Sequence, residues 1–296
     1  MRVTNGLLPI KLNYGSAGRE GDRMKLLVNS LDRHWTGATP FSLHIVCLDK
    51  EIDEVRAATT EVGASRLTLN FYKESEFFGT DSSFYKTHPT YKQQMIKLIA
   101  PARLGIGAFI TFDADILCLR DFNEETFVFG EKLISTYEPK IAHSWWENGM
   151  AGCGLTTDLV TKGLGVTPNT LHSDLCVGIE AFFAERGMDC IERLYDLTQS
   201  HPGVKAYAGE GGHPLVWSEY SLYHMISEMR GTLQGYHVAP EVVSGLSVQL
   251  HSRRNVWGKD DIGRLQPDSA DPGIFLIVQS WAGVPVEEIL DRIGYK

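Results

Sequence analysis

The feature that most constrains the fold is an alternation, through the first half of the chain, of short apolar runs with segments of helical period. The runs at 7–12, 41–48 and 66–72 have the length and composition of strands. Between the first two, apolar residues at 24–35 recur at the spacing of one buried helical stripe. Strands that alternate with helices are typical of βαβ units, in which helices flank a mostly parallel sheet. The predicted fold class is therefore α/β.

The second half of the chain is less regular. A capping box at 90–93 predicts a helix from there to about Arg103. The further predicted elements are an antiparallel strand at 127–137, a loop with Trp145 and Trp146, helices beginning at 167–168 and at Ser218, a strand at 274–278 and a helix at 285–293. No repeat or linker stands out. The simplest organisation is one continuous domain over residues 1–296.

Charge and cysteine content limit the class of function and the compartment. The 296 residues carry 28 basic against 37 acidic side chains, a formal net charge of −9. Without a Lys/Arg run, the chain lacks the surface that neutralises the phosphates of nucleic acids or anionic lipids. Five widely spaced cysteines without metal-ligand spacing predict buried thiols in a reducing compartment. Because there is no signal-peptide core and no apolar run of membrane length, we expect a bacterial-type cytoplasmic protein with small-molecule or glycan partners.

The segment 108–119 contains the strongest candidates for catalytic or metal-binding residues. An apolar run precedes Asp113 and Asp115, and a second apolar run follows them. In extended backbone these positions project to the same side, so two carboxylates converge at the end of a buried strand. Ligands of open α/β sheets collect at this edge. Unpaired carboxylates are costly there, and Mg²⁺ is a hard cation bound by one or two carboxylates plus substrate phosphates. The pair therefore predicts a divalent cation site, and two turn aspartates capping the next element are the alternative.

A second candidate loop, at 15–21, follows the first predicted strand and contains three glycines. It matches neither the phosphate loop of ATPases nor the dinucleotide fingerprint of Rossmann oxidoreductases. These two enzyme classes therefore have no motif to support them.

The segment Phe112-Asp113-Ala-Asp115-Ile-Leu-Cys-Leu119 resembles the metal and nucleotide-diphosphate motif of glycosyltransferases with the GT-A fold. The segments 91–98, 165–172 and 217–223 are similar, in order and spacing, to a bacterial family of glycosyltransferases known mainly from sequence. The likeness spans roughly residues 7 to 280.

The resemblance implies a GT-A-like α/β fold and transfer of a sugar from a nucleotide-diphosphate donor to a hydroxyl of a glycan or glycolipid acceptor. It further implies Mn²⁺ or Mg²⁺ as cofactor and a setting in bacterial envelope polysaccharide synthesis. Residues 1–120 would bind the nucleotide sugar, and 121–296 would form the irregular acceptor-side half.

The resemblance also assigns ligands to the metal and the diphosphate. Asp115 would bind the cation directly, while Asp113 would share it or contact the ribose. A C-terminal histidine would complete the metal shell, with His251 as first choice and His237 as second. Arg253 and Arg254, beside His251, would neutralise the diphosphate, or they form a solvated basic pair.

The remaining donor contacts are expected from two helices. Gln94 and Lys97 share one face of the helix that begins near Thr90, and the resemblance assigns them to the donor sugar or phosphates. An exposed polar helix face is the alternative. Asp22 and Arg23 would hold the base or ribose, although Asp22 also suits a plain helix cap.

Glu219, just after Ser218, is the candidate base that takes the proton of the acceptor hydroxyl. The helix dipole alone also favours a glutamate there, and inversion is the expected outcome, although Glu219 does not settle it. Trp145, Trp146 and His172 are candidates for acceptor binding, the indoles as a stacking platform or as hydrophobic plugs.

Two other functions compete with the glycosyltransferase hypothesis. Paired aspartates also serve nucleotidyltransferases and metal phosphohydrolases, which release pyrophosphate or phosphate instead of a nucleoside diphosphate. A non-catalytic module that binds nucleotide sugars or glycans is the third hypothesis.

Overall fold

The computed structural model describes residues 1–12, 20–80, 82–199 and 216–295. The strands are β1 (Asn5–Ile10), β2 (Phe41–Cys47), β3 (Leu67–Lys73), β4 (Ala108–Thr111), β5 (Ile116–Cys118), β6 (Val128–Phe129), β7 (Lys132–Leu133), β8 (Tyr137–Pro139), β9 (Lys162–Leu164), β10 (Asn169–His172), β11 (Gln249–His251) and β12 (Gly273–Ile277). The helices are α1 (Glu20–His34), α2 (Ile52–Thr60), α3 (Glu74–Phe78), α4 (Pro89–Leu104), α5 (Ser144–Cys153), α6 (Ser173–Ala184), α7 (Cys190–Thr198), α8 (Glu219–Met229), α9 (Leu233–Tyr236), α10 (Pro240–Val243) and α11 (Val286–Ile293).

The largest sheet has the strand order β10-β4-β1-β2-β3. The four strands from β4 to β3 are mutually parallel, and β10 is antiparallel to β4 at one edge. A smaller sheet, β11-β12-β5, continues from the aspartate segment, because β5 pairs antiparallel with β12. The predicted α/β class with a mostly parallel central sheet and flanking helices is confirmed.

The central strands are buried on both faces, as the apolar runs predict. Successive residues alternate between two hydrophobic clusters: Leu7 and Phe109 pack with α4, α6 and α8, whereas Leu8 and Ile110 pack with α1 and the smaller sheet. All four side chains are fully buried. Each such burial contributes about 1.5–3 kcal/mol. The sheet is therefore a rigid platform whose carboxyl edge can position charged groups.

Local capping signals were partly misleading. The helix α4 begins at Pro89, with His88 as the N-cap, two positions ahead of Thr90, the N-cap of the predicted capping box. Proline suits the first helical position because its missing N–H would be unpaired there anyway. The helix α8 does begin after Ser218, whose hydroxyl accepts a hydrogen bond from the backbone of Ser221. That prediction is confirmed.

Three predictions in the second half were wrong. Trp145 and Trp146 lie in helix α5 and not in a loop. The segment 167–168 opens strand β10 and not a helix, because residues 169–172 pair with β4, and the helix α6 begins only at Ser173. The predicted strand at 127–137 is a hairpin of two short strands, β6 and β7, followed by β8.

The state of the cysteines and the length of the helices bear on the predicted reducing compartment and the predicted absence of a membrane span. All five cysteines are free thiols and four are buried, as predicted. Burial raises the pKa of the Cys47 thiol to about 12. None of the helices in the described ranges combines the length and apolarity needed to cross a membrane.

Candidate active site

The site begins at the carboxyl edge of the central sheet, where Asp113 and Asp115 follow β4. The strand ends at Thr111, and a turn through Ala114 and Asp115 leads into β5. The Asp115 carbonyl oxygen accepts a 2.9 Å hydrogen bond from the backbone of Val278, just after β12. The spacing predicts that Asp113 and Asp115 share one face of a strand. The strand ends at Thr111, before either aspartate, and the two carboxylates therefore have different neighbours.

On the side of helix α4, Asp113 belongs to a buried ion cluster centred on Lys97. The Lys97 Nζ atom lies 2.8 Å from Asp113 Oδ1 and 3.0 Å from Glu219 Oε1, and only 3% of the side chain is exposed. The same ammonium donates a 2.7 Å hydrogen bond to Thr167 Oγ1. Burial lowers the pKa of Lys97, but the two carboxylates outweigh burial and hold the pKa well above its ordinary value. Three predicted site residues, distant in sequence, thus meet in one cluster.

A chain of hydrogen-bonded hydroxyl groups connects the Lys97 ion cluster to strand β4. The Tyr220 hydroxyl lies 2.6 Å from Thr111 Oγ1 and 2.7 Å from Thr167 Oγ1, which links helix α8 to the end of β4. Glu219 is the first residue of α8, where the helix dipole favours a carboxylate. Its side chain is 6% exposed. Position and orientation of Glu219 are therefore fixed by both the helix start and the Lys97 ammonium.

A second set of charges surrounds Asp115. Burial, followed by the negative charge of Asp113, raises the pKa of the Asp115 carboxyl to about 7; Arg23 opposes this rise and Glu20 adds to it. The backbone of Ser280 hydrogen-bonds to the Asp115 carboxylate, while the Ser280 side chain bonds to Glu20. The raised pKa of Asp115 shows that its negative charge is incompletely balanced by its neighbours.

The donor set of this edge fits a divalent cation. The charged groups are four carboxylates and two cations, namely Asp113, Asp115, Glu20 and Glu219 with Lys97 and Arg23. When all are ionised, the site carries an excess of two negative charges. Within the described ranges no group of three or more His, Cys, Asp or Glu side chains is arranged to hold a metal. Two carboxylates with open positions are nevertheless the arrangement that Mg²⁺ uses together with substrate phosphates.

The two histidines predicted as metal ligands have other partners. The Nε2 atom of His251 lies 2.8 Å from the carbonyl oxygen of Pro168, which only accepts, so this nitrogen carries a proton and cannot bind a metal. Burial lowers the pKa of His251 to about 4. His237 lies in the core between the hydroxyls of Ser135 and Tyr223, at 2.8 and 2.9 Å. The predicted ligand role is therefore wrong for His237, and for His251 it is ruled out at Nε2.

Of the two predicted diphosphate arginines, Arg254 does not meet the aspartates. Arg254 donates to Asp271 at 3.1 Å and to the Gln266 carbonyl at 2.8 Å. Asp271 precedes β12, whereas Asp115 contacts the residue that follows it, so Arg254 and Asp115 lie at opposite ends of this strand. The side chain of Arg253 is exposed on the same loop. The prediction is wrong for Arg254, which instead stabilises the turn before β12.

The residues of α1 and α4 that were predicted to bind the nucleotide sugar differ in burial and in their hydrogen-bond partners. Arg23 is buried and donates to the backbone carbonyls of Val278 and Val284, at 2.6 and 2.9 Å, so it holds the segment after β12 in place. Asp22 is exposed in the first turn of α1. Gln94 is 7% exposed, and its Oε1 atom has no hydrogen-bond partner among the described residues. A buried amide oxygen without a partner costs about 1–3 kcal/mol, which a ligand hydroxyl would relieve.

The three predicted acceptor residues lie elsewhere. Trp145 is 6% exposed and stacks on His143 at 3.9 Å, and Trp146 is fully buried. Neither indole offers a face to a sugar, so the platform prediction is wrong for both. His172 pairs with Ala108, at the amino end of β4, and caps helix α6. This is the opposite edge of the sheet from Asp113, which contradicts a role for His172 at the site.

A cavity of about 50 Å³ lies at the same edge of the sheet as the aspartates and was missed by the sequence analysis. It is lined by the ends of β1, β2 and β3 and the start of α4, including Lys11, Glu74 and Lys92. Glu74 is 5% exposed, its Oε2 atom has no hydrogen-bond partner in the described ranges, and burial raises its pKa to about 7. Part of the predicted loop at 15–21 lies outside the described residues, as do 13 and 14. No sequence motif marks Glu74, whose burial appears only in the fold.

Comparison with solved structures finds limited similarity to two glycosyltransferases. One is mouse xyloside xylosyltransferase 1 in its apo form, with 12% identity and a TM-score of 0.44 over 84% of this chain and 87% of that chain. The other is core-mannan synthase A from Aspergillus fumigatus in its Mn/GDP form, with 10% identity and a TM-score of 0.45 over 76% of this chain and 70% of that chain. At these identities and TM-scores the likeness carries no conclusion about chemistry.

No curated protein sequence matches the chain. Residues 1–295 match the family model described as "Family of unknown function (DUF6492)", and the chain belongs to this family.

Proposed function

We propose that the protein is a metal-dependent glycosyltransferase that moves a sugar from a nucleotide-diphosphate donor to a hydroxyl of a glycan or glycolipid. The observation that carries the proposal is the buried bridge in which Lys97 contacts both Asp113 and Glu219 at the carboxyl edge of a parallel sheet. Ligands of open α/β sheets bind at this edge. Burying a lysine between two carboxylates from separate elements costs desolvation energy. A role of these three charges in a functional site would explain why the fold buries them.

The residues of the edge divide naturally between the parts of such a donor. The cavity at the ends of β1, β2 and β3 would form part of the nucleoside site, because it lies at the same sheet edge as the aspartates and its lining includes Glu74, whose Oε2 atom has no partner among the described residues. The Gln94 Oε1 atom is an acceptor, which suits a sugar hydroxyl and not a phosphate oxygen. Lys97 holds Asp113 at the strand end through a 2.8 Å ion pair.

Asp115, with Asp113 sharing, would hold Mn²⁺ or Mg²⁺. When bound, the cation would neutralise the diphosphate as negative charge develops on it during departure. The raised pKa of Asp115 supports this assignment, since a carboxyl that is buried and also lies near the negative charge of Asp113 gains most from a cation.

Glu219 would accept the proton of the acceptor hydroxyl at a carboxylate oxygen. The hydroxyl oxygen then bonds to the anomeric carbon while the bond from that carbon to the phosphate oxygen breaks. Lys97 fixes the direction of the Glu219 carboxylate by binding Oε1 at 3.0 Å. A single displacement of this kind inverts the anomeric carbon, and inversion is the outcome that we propose, although Glu219 alone does not decide it. Envelope polysaccharide synthesis is the setting that we propose for the reaction.

The test measures product release from a panel of nucleotide sugars with Mn²⁺, with and without oligosaccharide acceptors. We expect one donor to release its nucleoside diphosphate, and Glu219→Gln to slow this release by about 100-fold or more. Glu131→Gln, at an exposed carboxylate of the β6–β7 hairpin, is the matched control and should retain full activity. Release of pyrophosphate or phosphate would instead favour a nucleotidyltransferase or a phosphohydrolase. Metal-dependent binding without any turnover would favour a binding module.

A further inference from the structure

One tryptophan is exposed on the segment after β12, three residues beyond Val278, whose backbone contacts Asp115. Among the described residues Trp281 is 54% exposed, whereas Trp35, Trp146 and Trp217 are almost completely buried. Tryptophan combines a large apolar face with low side-chain entropy, and for this reason it is frequent where proteins bind ligands. Its exposure is an observation that the fold itself does not explain.

The backbone places Trp281 at the edge of the charged site. The preceding residue, Ser280, hydrogen-bonds through its backbone to the Asp115 carboxylate and through its side chain to Glu20. Two residues before that, Val278 donates to the Asp115 carbonyl oxygen. The backbone of Trp281 therefore directly follows a residue that contacts the proposed metal ligand.

The ring is supported from one side. Gly258 faces it, since a Cβ atom built at this position would be in ordinary van der Waals contact, 3.4 Å from Cζ3 and 3.5 Å from Cη2 of the indole. The segment with Gly258 is itself tied to the end of β12, because Val256 forms a bridge with Val278. One part of the ring thus faces Gly258, while Trp281 as a whole is 54% exposed.

We propose that Trp281 binds a pyranose ring of the substrate by stacking, with its exposed indole surface against the C–H face of the sugar. This inference rests on the proposed glycosyltransferase function and assigns to Trp281 the platform that sequence analysis placed on Trp145 and Trp146. The sugar comes from the donor or from the acceptor, since both meet at the aspartate edge. No bond is formed or broken at Trp281, so its contribution is to affinity and orientation.

The experiment compares wild type with Trp281→Ala and Trp281→Phe in two binding measurements. In the acceptor arm, labelled protein binds an array of immobilised oligosaccharides of glucose, galactose, mannose and N-acetylglucosamine. In the donor arm, calorimetry with Mn²⁺ compares nucleotide sugars with the corresponding nucleoside diphosphates. Phe129→Ala is the matched control, because Phe129 is 51% exposed on the β6–β7 hairpin. Thermal unfolding verifies that each variant is folded.

We expect Trp281→Ala to weaken sugar binding about tenfold or more in one arm, with Trp281→Phe retaining most of it and Phe129→Ala unchanged. Loss in the acceptor arm identifies an acceptor platform. In the donor arm, a nucleotide sugar should bind wild type more tightly than the corresponding nucleoside diphosphate does. If Trp281→Ala loses this difference, the indole stacks on the donor sugar. Unchanged binding by Trp281→Ala in both arms, or no sugar binding by the wild type, overturns the inference. Neither arm requires turnover, so a Trp281-dependent binder without transferase activity would refute the proposed function and leave the stacking site standing.

Discussion

Replacing Lys97 by methionine should destabilise the protein strongly. The substitution keeps the length of the side chain but removes the ammonium that lies 2.8 Å from Asp113 and 3.0 Å from Glu219. Asp113, at 32% exposure, can turn to water for compensation, but Glu219, at 6%, cannot. Removing one partner of a buried ion pair costs about 3–5 kcal/mol, because the remaining charge is left unpaired in a low dielectric. We therefore expect Lys97→Met to lower the free energy of unfolding by about this amount.

The assay is urea unfolding at pH 8 of a double-mutant cycle. Its members are wild type, Lys97→Met, Glu219→Gln and the double variant, with exposed Lys132→Met as control. The double variant should be more stable than Lys97→Met by at least about 1 kcal/mol, because it no longer buries an unpaired carboxylate. A cost of Lys97→Met similar to that of Lys132→Met, or additive effects in the cycle, would refute a tightly coupled Lys97–Glu219 pair.

Two further predictions concern stability. Burial holds the pKa of His237 at about 3 and that of His251 at about 4, below the ordinary 6.5, so the unfolded state binds protons first as the pH falls. Stability should therefore be lost below pH 6.5, by about 2 kcal/mol per histidine at pH 5, and urea unfolding of His237→Asn at pH 8 and pH 5 should show a smaller drop than wild type. An equal drop in both proteins would contradict this. At Gly163 an added Cβ would meet the Trp146 ring at 2.2 Å, so thermal unfolding of Gly163→Ala should show a cost of about 1–3 kcal/mol, whereas Gly235→Ala, with open space, should be nearly neutral.

The central sheet was predictable because its signal is local. The strands β1, β2 and β3 are apolar runs next to helices with a clear apolar stripe, and their predicted bounds differ from the structure by at most two residues at either end. The second half was less predictable because long-range pairing decides it. Asn169–His172 becomes a strand by pairing with β4, although the proline before it is typical of a helix start.

Site residues were predictable only where a suitable side chain also occupies a recognisable position in a predicted strand or helix. Asp113, Lys97 and Glu219 follow from a strand end, a helix face and a helix start, and the structure brings these three together. His172 and Arg254 share residue types with real ligands, but the register of β10 and of β12 places them at far edges. Contacts of this kind depend on the tertiary fold, and no local pattern in the chain encodes them.

A stability change at Asp115 tests the same charge balance without any ligand. The pKa of the Asp115 carboxyl is raised from 3.8 to about 7, so the folded state disfavours the ionised form; this penalty is complete above pH 7, decreases as the pH falls below 7 and is gone near pH 3.8. Asp115→Asn should therefore raise the free energy of unfolding at pH 8, by about 2–4 kcal/mol at 1.36 kcal/mol per unit of pKa. Urea unfolding at pH 8 and at pH 5 checks this, and a variant no more stable than wild type at pH 8 would contradict it.

The most direct test of the central claim is thermal unfolding of wild type and Asp115→Asn with a panel of nucleoside diphosphates and nucleotide sugars, each with Mn²⁺ and with chelator. Asp53→Asn, at an exposed position of α2, is the control. We predict that one nucleotide class stabilises wild type and the control only with Mn²⁺, by about 2.7 kcal/mol at 100 times the dissociation constant, and that Asp115→Asn does not respond. No response of wild type to any nucleotide, or an equal response in Asp115→Asn, would contradict a metal-dependent donor site at these aspartates.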